Sequence, residues 1–334
     1  MDISSMESRN IGDYFDEHMT FLKQIGVGYL ECHCTFKVDP NLPSITMGNK
    51  EDTAKSIHKI KESGLNVRVL AFNFVHSLMG RPEGEKEIER GCEIIKLMGE
   101  EEIPIMRIFP QGIRLGPSGV PGRYQRAHRG GAINAAFRLD YMREELAKRD
   151  LESQWAHHYK EKITYDEYFS NWVKLLERIV PIAEDSGVTI VEHFDDPPVP
   201  NYWNEGLLPA NHDPLMIKRL FEAVPSKNFG LLFCVGTRYE SGRDVYEQIR
   251  LFGRKIYHVH LRNVRGTILH SGGYDEVFID DGDMDMFKVL KTLKDVGYDG
   301  YISPDHPPIL IDDEKRRAGL AFMVGYIRAI IQAL

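Results

Sequence analysis

The sequence predicts an α/β fold, a single (β/α)8 TIM barrel over residues 1–334, and three observations predict it. Short apolar runs rich in Val and Ile alternate with helix-like stretches, the pattern of a parallel sheet with crossover helices. Four of those runs, VTIVEH, FGLLFC, IYHVH and GYISPD, end in a potential metal ligand: His193, Cys234, His260 and Asp305. Strand carboxyl ends are where such barrels carry their sites. Finally, 334 residues with 42% hydrophobic composition suffice to bury one large core.

Eight strand candidates follow in order: VGYLECH from Val27, NVRVLAFNF from Asn66, IPIMRIFP from Ile103, VTIVEHF from Val188, FGLLFCV from Phe229, KIYHVHLRNV from Lys255, a weaker EVFIDD from Glu276, and GYISPDH from Gly300. Helical stretches such as EKEIERGCEIIKLMG, YDEYFSNWVKLLERIVPIAEDSG and MDMFKVLKTLKDVG separate most of them, several closing on a Gly suited to a helix C-terminus. One segment breaks the rhythm. After the third strand candidate, residues 111–164 form a long insertion holding GPSGVPGRYQRAHRGGA and the expected helix LDYMREELAKRDLESQWAHHYKEK. An insertion on the ligand-bearing face is expected to cover the active site.

Bulk properties narrow the partners. The balance of 42 basic against 50 acidic residues, net -8, leaves no electrostatic footprint for nucleic acid. The four cysteines, Cys32, Cys34, Cys92 and Cys234, are too few for a disulfide framework in a chain this long, which fits a reducing cytoplasm. No apolar leader opens MDISSMESRN and no stretch approaches a membrane span, so neither secretion nor a membrane partner is expected. A homo-oligomer is compatible with all of this.

The four strand-end ligands are spaced 41, 26 and 45 residues apart, or one, one and two β/α units, placing them on the fourth, fifth, sixth and eighth strand candidates. A lone strand-end His is commonly a hydrogen-bonded core residue and a lone Cys a small hydrophobe. Their conjunction on one rim instead points to a shared metal. One thiolate, two imidazoles and a carboxylate suit zinc or ferrous iron by softness, with manganese less favoured by sulfur.

GLLFCVGTRYESGRD, IYHVHLRNVRG, DDGDMDMFKVLKTL, PDH at Pro304–His306 and GLAFMVGYIRAI resemble, in order and spacing, the mannonate dehydratase family of the xylose isomerase-like barrels, and HFDDPP at His193–Pro198 is similar to its strand-four motif. The resemblance runs from about Gly187 to the end of the sequence and is weaker before it, where only ECHC at Glu31–Cys34 stands for the family's first-strand signature. It implies a metal-dependent hydro-lyase that removes water from D-mannonate to give 2-dehydro-3-deoxy-D-gluconate. It also implies a divalent metal, commonly Mn2+, on His193, Cys234, His260 and Asp305, with Zn2+, Fe2+ or Co2+ as alternatives. His306 and Tyr326 match the family's proposed acid/base positions.

The residues themselves add expectations about the substrate. Arg262 lies two residues after His260, on the same side of a strand, and its guanidinium fork suits the carboxylate of a sugar acid. His33, ending the first strand candidate, can bind a hydroxyl. Asp195 and Asp196 can steady the metal His or anchor a loop, whereas Asp283 and Asp285 sit where helix N-caps belong. Two alternatives remain open: a metal-dependent sugar isomerase or epimerase, to which Glu192 would matter were strand alternation not expected to turn it away, and a non-catalytic sugar-acid binding protein.

Overall fold

Ser4 and Ser5, buried and unremarkable in sequence, belong to a barrel strand that opens the chain. In the computed structural model the described residues are all except 7–14, 34–35, 39–44, 48–49, 109–119, 149–162, 194–195 and 200–212. Eight parallel strands close the barrel: β1 (Asp2–Met6), β2 (Tyr29–His33), β3 (Asn66–Phe72), β4 (Ile105–Ile108), β5 (Thr189–Glu192), β6 (Phe229–Cys234), β7 (Ile256–Leu261) and β8 (Tyr301–Pro304). Closure is made by β1, which pairs Asp2 with Tyr301 of β8 and Ser4 with Tyr29 of β2.

This corrects the expected strand list at two places. The sequence DISSM hides a strand because its inward position Ser4 is polar; there it meets Ser303 of β8, Oγ to Oγ, at 2.8 Å. The weak candidate around Glu276 is instead Gly273–Val277, which leaves the barrel and pairs antiparallel with Ile133–Arg138. Counting from β1, the metal-ligand candidates follow four consecutive strands, β5 to β8, and the insertion follows the fourth barrel strand rather than the third.

Part of that insertion is a hairpin, Arg123–Ala127 with Ile133–Arg138, followed by the helix Leu139–Lys148; the rest of the expected helix lies outside the described residues. The hairpin joins the excursion after β7 in a four-stranded antiparallel sheet, ordered Asn263–Arg265, Gly273–Val277, Ile133–Arg138, Arg123–Ala127. Asn263 follows the carboxyl end of β7 almost directly, which fixes this sheet to the ligand-bearing rim. The Asn263 amide donates to the carbonyls of Ile279 and Met284, both at 2.9 Å, and so clamps the DDGDMD turn. A Cβ on Gly282 would stand 2.1 Å from Asn263 Oδ1, which is why that turn carries glycine.

The helices lie outside the barrel and start as their sequences dictate. Thr164 and Glu167 form a reciprocal capping box at the head of Tyr165–Asp185. Asp213, Asp244 and Asp285 cap Pro214–Ala223, Val245–Phe252 and Met286–Asp295. Asp285 thus takes the capping role expected of it, while Asp283 accepts from the Gly266 backbone N–H at 2.8 Å. Apolar helix faces pack on the outward side of the strands as one large core. Inside the barrel, one sector is apolar, with Val69, Ile105, Val191 and Leu232 beneath Cys234. The opposite sector is polar, with Ser4, Glu31, His258 and Ser303 in mutual reach.

Candidate metal centre on the barrel rim

Period-two alternation aims every second side chain of a strand inward, so the last inward position of each barrel strand faces its counterparts across the mouth. His193, Cys234 and His260 meet in this way: one donor atom from each lies within 4.8 Å of the others, and all three residues are buried. The His193 and His260 rings are 5.3 Å apart between centroids. Asp305 completes the set from β8, with Oδ2 3.7 Å from Cys234 Sγ. A buried thiol, two imidazoles and a carboxylate converging in this way fit a transition-metal or zinc-like cation.

Electrostatics support that fit. Burial, reinforced by the charges of His260 and Arg107, holds His193 down to about 3, so its imidazole is neutral and retains a lone pair. For Asp305 burial opposes ionisation, but His306, His260 and Arg262 outweigh it and keep the carboxyl well below its usual range. Burial likewise opposes charge on His260, and Glu31 leads the groups that push it up to about 10. Thr237 donates its hydroxyl to Cys234 Sγ at 3.1 Å, giving the sulfur a polar partner one helical turn on.

Arg262 is placed differently from the substrate-binding role expected of it. It is 1% exposed, and its guanidinium is committed to protein acceptors: Nε to Asp305 at 3.0 Å, one terminal nitrogen to Asp196 and Thr237, each at 3.1 Å, and the other to Glu240. Its fork holds a metal-ligand candidate instead of facing an incoming carboxylate. The glycine of FCVG follows from the same packing, since a Cβ on Gly236 would come within 2.6 Å of the Arg262 side chain. His33 is at the mouth, where its Nε2 lies 2.9 Å from an Arg107 terminal nitrogen. Asp196 anchors its loop to Arg262 and, at 3.4 Å, to Arg123 of the insertion hairpin; Asp195 lies outside the described residues.

His306 stands beside the set. Its backbone takes φ of 49°, uncommon for a residue with a Cβ, and its Nδ1 is 2.9 Å from Glu276 Oε1 while Nε2 is 3.4 Å from Asp305 Oδ1. Burial works against its charged form, but Asp305 and Glu276 raise its pKa overall. Tyr326 is not brought to this cluster. It lies on the helix Arg317–Ala333, outside the barrel wall, stacked on Phe322 at 6.4 Å, and the charges that bear on it are Asp280 and Asp285. The helix buries Leu320, Met323, Val324 and Ile327 against the barrel, which leaves Tyr326 on its flank. Tyr326→Phe keeps the ring packed against the core and removes only the hydroxyl, so it is expected to change kcat/KM by no more than about twofold; a hundredfold loss in a turnover assay would return the tyrosine to the site.

Sequence reasoning missed Glu31, Arg107, Thr237, Glu240, His258 and Glu276. The signal for two of them was present: His258 stands two residues before His260, and Glu31 two before His33, so each shares a strand face with a residue already singled out. Glu192, one residue before His193, points outward as expected and accepts from Trp172 Nε1 under the helix Tyr165–Asp185.

The fold and the rim set define a class, the (β/α)8 barrels with a candidate metal site at the carboxyl ends of their strands. Over its full length the chain superposes on a mannonate dehydratase from Streptococcus suis serotype2, with a TM-score of 0.78, 21% identity and 95% of that chain covered. A profile of the D-mannonate dehydratase (UxuA) family matches residues 139–333, more than half of the sequence, and the chain belongs to this family. It is 36% identical over 160 residues to the mannonate dehydratase of Thermotoga maritima, covering 46% of this chain and 42% of that protein. With the Enterococcus faecalis mannonate dehydratase the match is 30% over 220 residues, covering 62% of this chain and 58% of that one. The chain thus spans about half the length of the curated relatives it matches.

Proposed function

We propose that the protein is a D-mannonate dehydratase, a metal-dependent hydro-lyase that converts D-mannonate to 2-dehydro-3-deoxy-D-gluconate. The observation that carries this reading is the convergence of His193, Cys234 and His260, within 4.8 Å, beside Asp305 and His306 in a chain of this family. Those four ligand candidates would hold the cation, Mn2+ by the family's habit and Zn2+, Fe2+ or Co2+ by donor softness. When bound, it supplies positive charge where negative charge builds beside the substrate carboxylate as the C2 proton leaves.

The residues supply orientation and a proton. Glu276 engages His306 at Nδ1, which leaves Nε2, 3.4 Å from Asp305 Oδ1, as the nitrogen to release a proton. We assign that proton to the departing C3 hydroxyl: the C2 proton passes to solvent water, the C2–H electrons form the C2–C3 double bond, and the C3 hydroxyl leaves as water with the His306 proton. The enol relaxes to the 2-keto acid by losing its hydroxyl proton and gaining one at C3, and His306 is reprotonated from solvent. The insertion hairpin roofs this mouth in our reading, since Arg123 reaches both Asp196 and Glu276 from it.

The isomerase alternative needs a carboxylate-rich metal set, and Glu192 is turned out of the barrel. A non-catalytic binder would have no use for a proton donor engaged as His306 is. Among the described residues Cys92 and Cys234 form no disulfide, and no helix is long and apolar enough to cross a membrane. The test is to strip the protein of metal, reload it with manganese, cobalt or zinc, and add D-mannonate. A 2-keto-3-deoxy acid is the expected product by NMR. No product with any of the three ions would sink the assignment, and an epimeric or isomeric sugar would favour the alternative.

A further inference from the structure

Glu31 sits inside the barrel on β2 with no exposure, and side chains from three other strands converge on it. His260 Nε2 lies 2.7 Å and His258 Nε2 2.9 Å from its Oε2, while Arg107 Nε is 2.8 Å from Oε1. Ser303 Oγ is 3.5 Å from Oε2. We infer that Glu31 is the positioning residue of the metal centre, fixing the ring orientation and tautomer of His260, with Arg107 and His258 holding Glu31 in turn. The inference rests on the metal-centre reading above.

The chemistry follows from what each group is able to do. A carboxylate paired with a guanidinium only accepts, so the hydrogen it shares with His260 sits on Nε2. A cation binding His260 would displace the ring's other proton and meet its lone pair at Nδ1. A carboxylate behind a ligating imidazole also raises its basicity and locks its rotation. The spacing of the strands makes this possible, because His258 and His260 share one face of β7 and both point across the barrel at β2.

The same three residues, Glu31, His258 and His260, also offer donor atoms within 4.8 Å of one another and so invite reading as a second cation site. Charge argues against it. The Arg107 guanidinium already neutralises Glu31 at 2.8 Å, and a divalent ion added there would face that cation across a buried, low-dielectric gap.

The experiment measures Co2+ binding by chelator competition and absorption spectroscopy on the full-length protein and on Glu31→Gln and Glu31→Asp. Glu31→Asp keeps the charge against Arg107 and withdraws the carboxylate from His260 by one methylene, so it preserves the interior charge balance if Glu31→Gln misfolds. Expected are one equivalent of cobalt in the parent protein with a thiolate-to-cobalt band, and about 10- to 100-fold weaker binding with altered ligand-field bands in the variants. Folded variants that bind cobalt within twofold of the parent, with an unchanged spectrum, overturn the inference. Two equivalents in the parent overturn it as well, since Glu31 would then be a ligand. A parent protein without the thiolate band overturns the metal-centre reading, and the inference with it, before any variant is made.

Discussion

His306→Asn is expected to lower kcat by about 10²- to 10⁴-fold, the span of a single general acid, while leaving metal content intact. His306 follows Asp305 on the rim and is more open than any of the four ligand candidates, so it is the titratable group of the cluster that faces the mouth. Asparagine keeps a polar group near Nδ1 for Glu276 but has no proton to release to a leaving hydroxide at neutral pH. The measurement is single-turnover product formation alongside elemental analysis. A kcat within tenfold of the parent would remove His306 from the reaction, and lost metal would recast it as a support for Asp305.

Arg262→Met is expected to destabilise the protein by about 3–5 kcal/mol, the usual effect of taking one partner from a buried ion network. Asp196, Glu240, Glu276 and Asp305 all lie within ion-pair reach of this one guanidinium, and each is buried. Burial, joined by the charges of Asp196 and Glu276, pushes Glu240 up to about 8 despite Arg262. Burial also opposes charge on Glu276, but His306, Arg262 and Arg123 hold it down to about 2. The network sets the carboxyls of Asp196, Glu240, Glu276 and Asp305 against Arg123, Arg262 and His306. Methionine fills similar volume and leaves that balance one cation short at its centre. Denaturant unfolding checks the result, and a loss below about 1 kcal/mol would show that the cluster reorganises at little cost.

The four candidate ligands stood out in the sequence because each ends an apolar run, and their nearness on the rim needed only strand periodicity and the closure of a barrel. The second half of the fold was legible for the same reason. The first β/α unit was not: DISSM carries a serine, Ser4, at its inward position, and the partner of that serine is Ser303, nearly 300 residues away. Gly273–Val277 resembled a barrel strand in composition, but its pairing with the insertion hairpin is a tertiary fact that no local pattern encodes. Side-chain roles failed where they depended on what a neighbour had already claimed. Arg262 has the right strand face for a substrate carboxylate, yet Glu240, Asp196 and Asp305 occupy it first. Tyr326 lies in a family-like motif, and only the face that its helix buries shows it to be outside.

The four-stranded sheet over the rim has a consequence for the order in which the molecule forms. Its central pairing joins Ala136 to Asp275, and its ion pair joins Arg123 to Glu276, contacts that close loops of well over a hundred residues. Contacts of such separation are late events, because chain entropy must be surrendered before they return any stabilisation. Glu276, which engages the proposed proton donor, is therefore set in place after β4 and β7, while the closing pair Asp2–Tyr301 of β1 and β8 spans more chain still. A nascent or half-folded chain presents the thiol of Cys234 without an organised pocket above it, and chemical competence becomes a report that the whole barrel has closed.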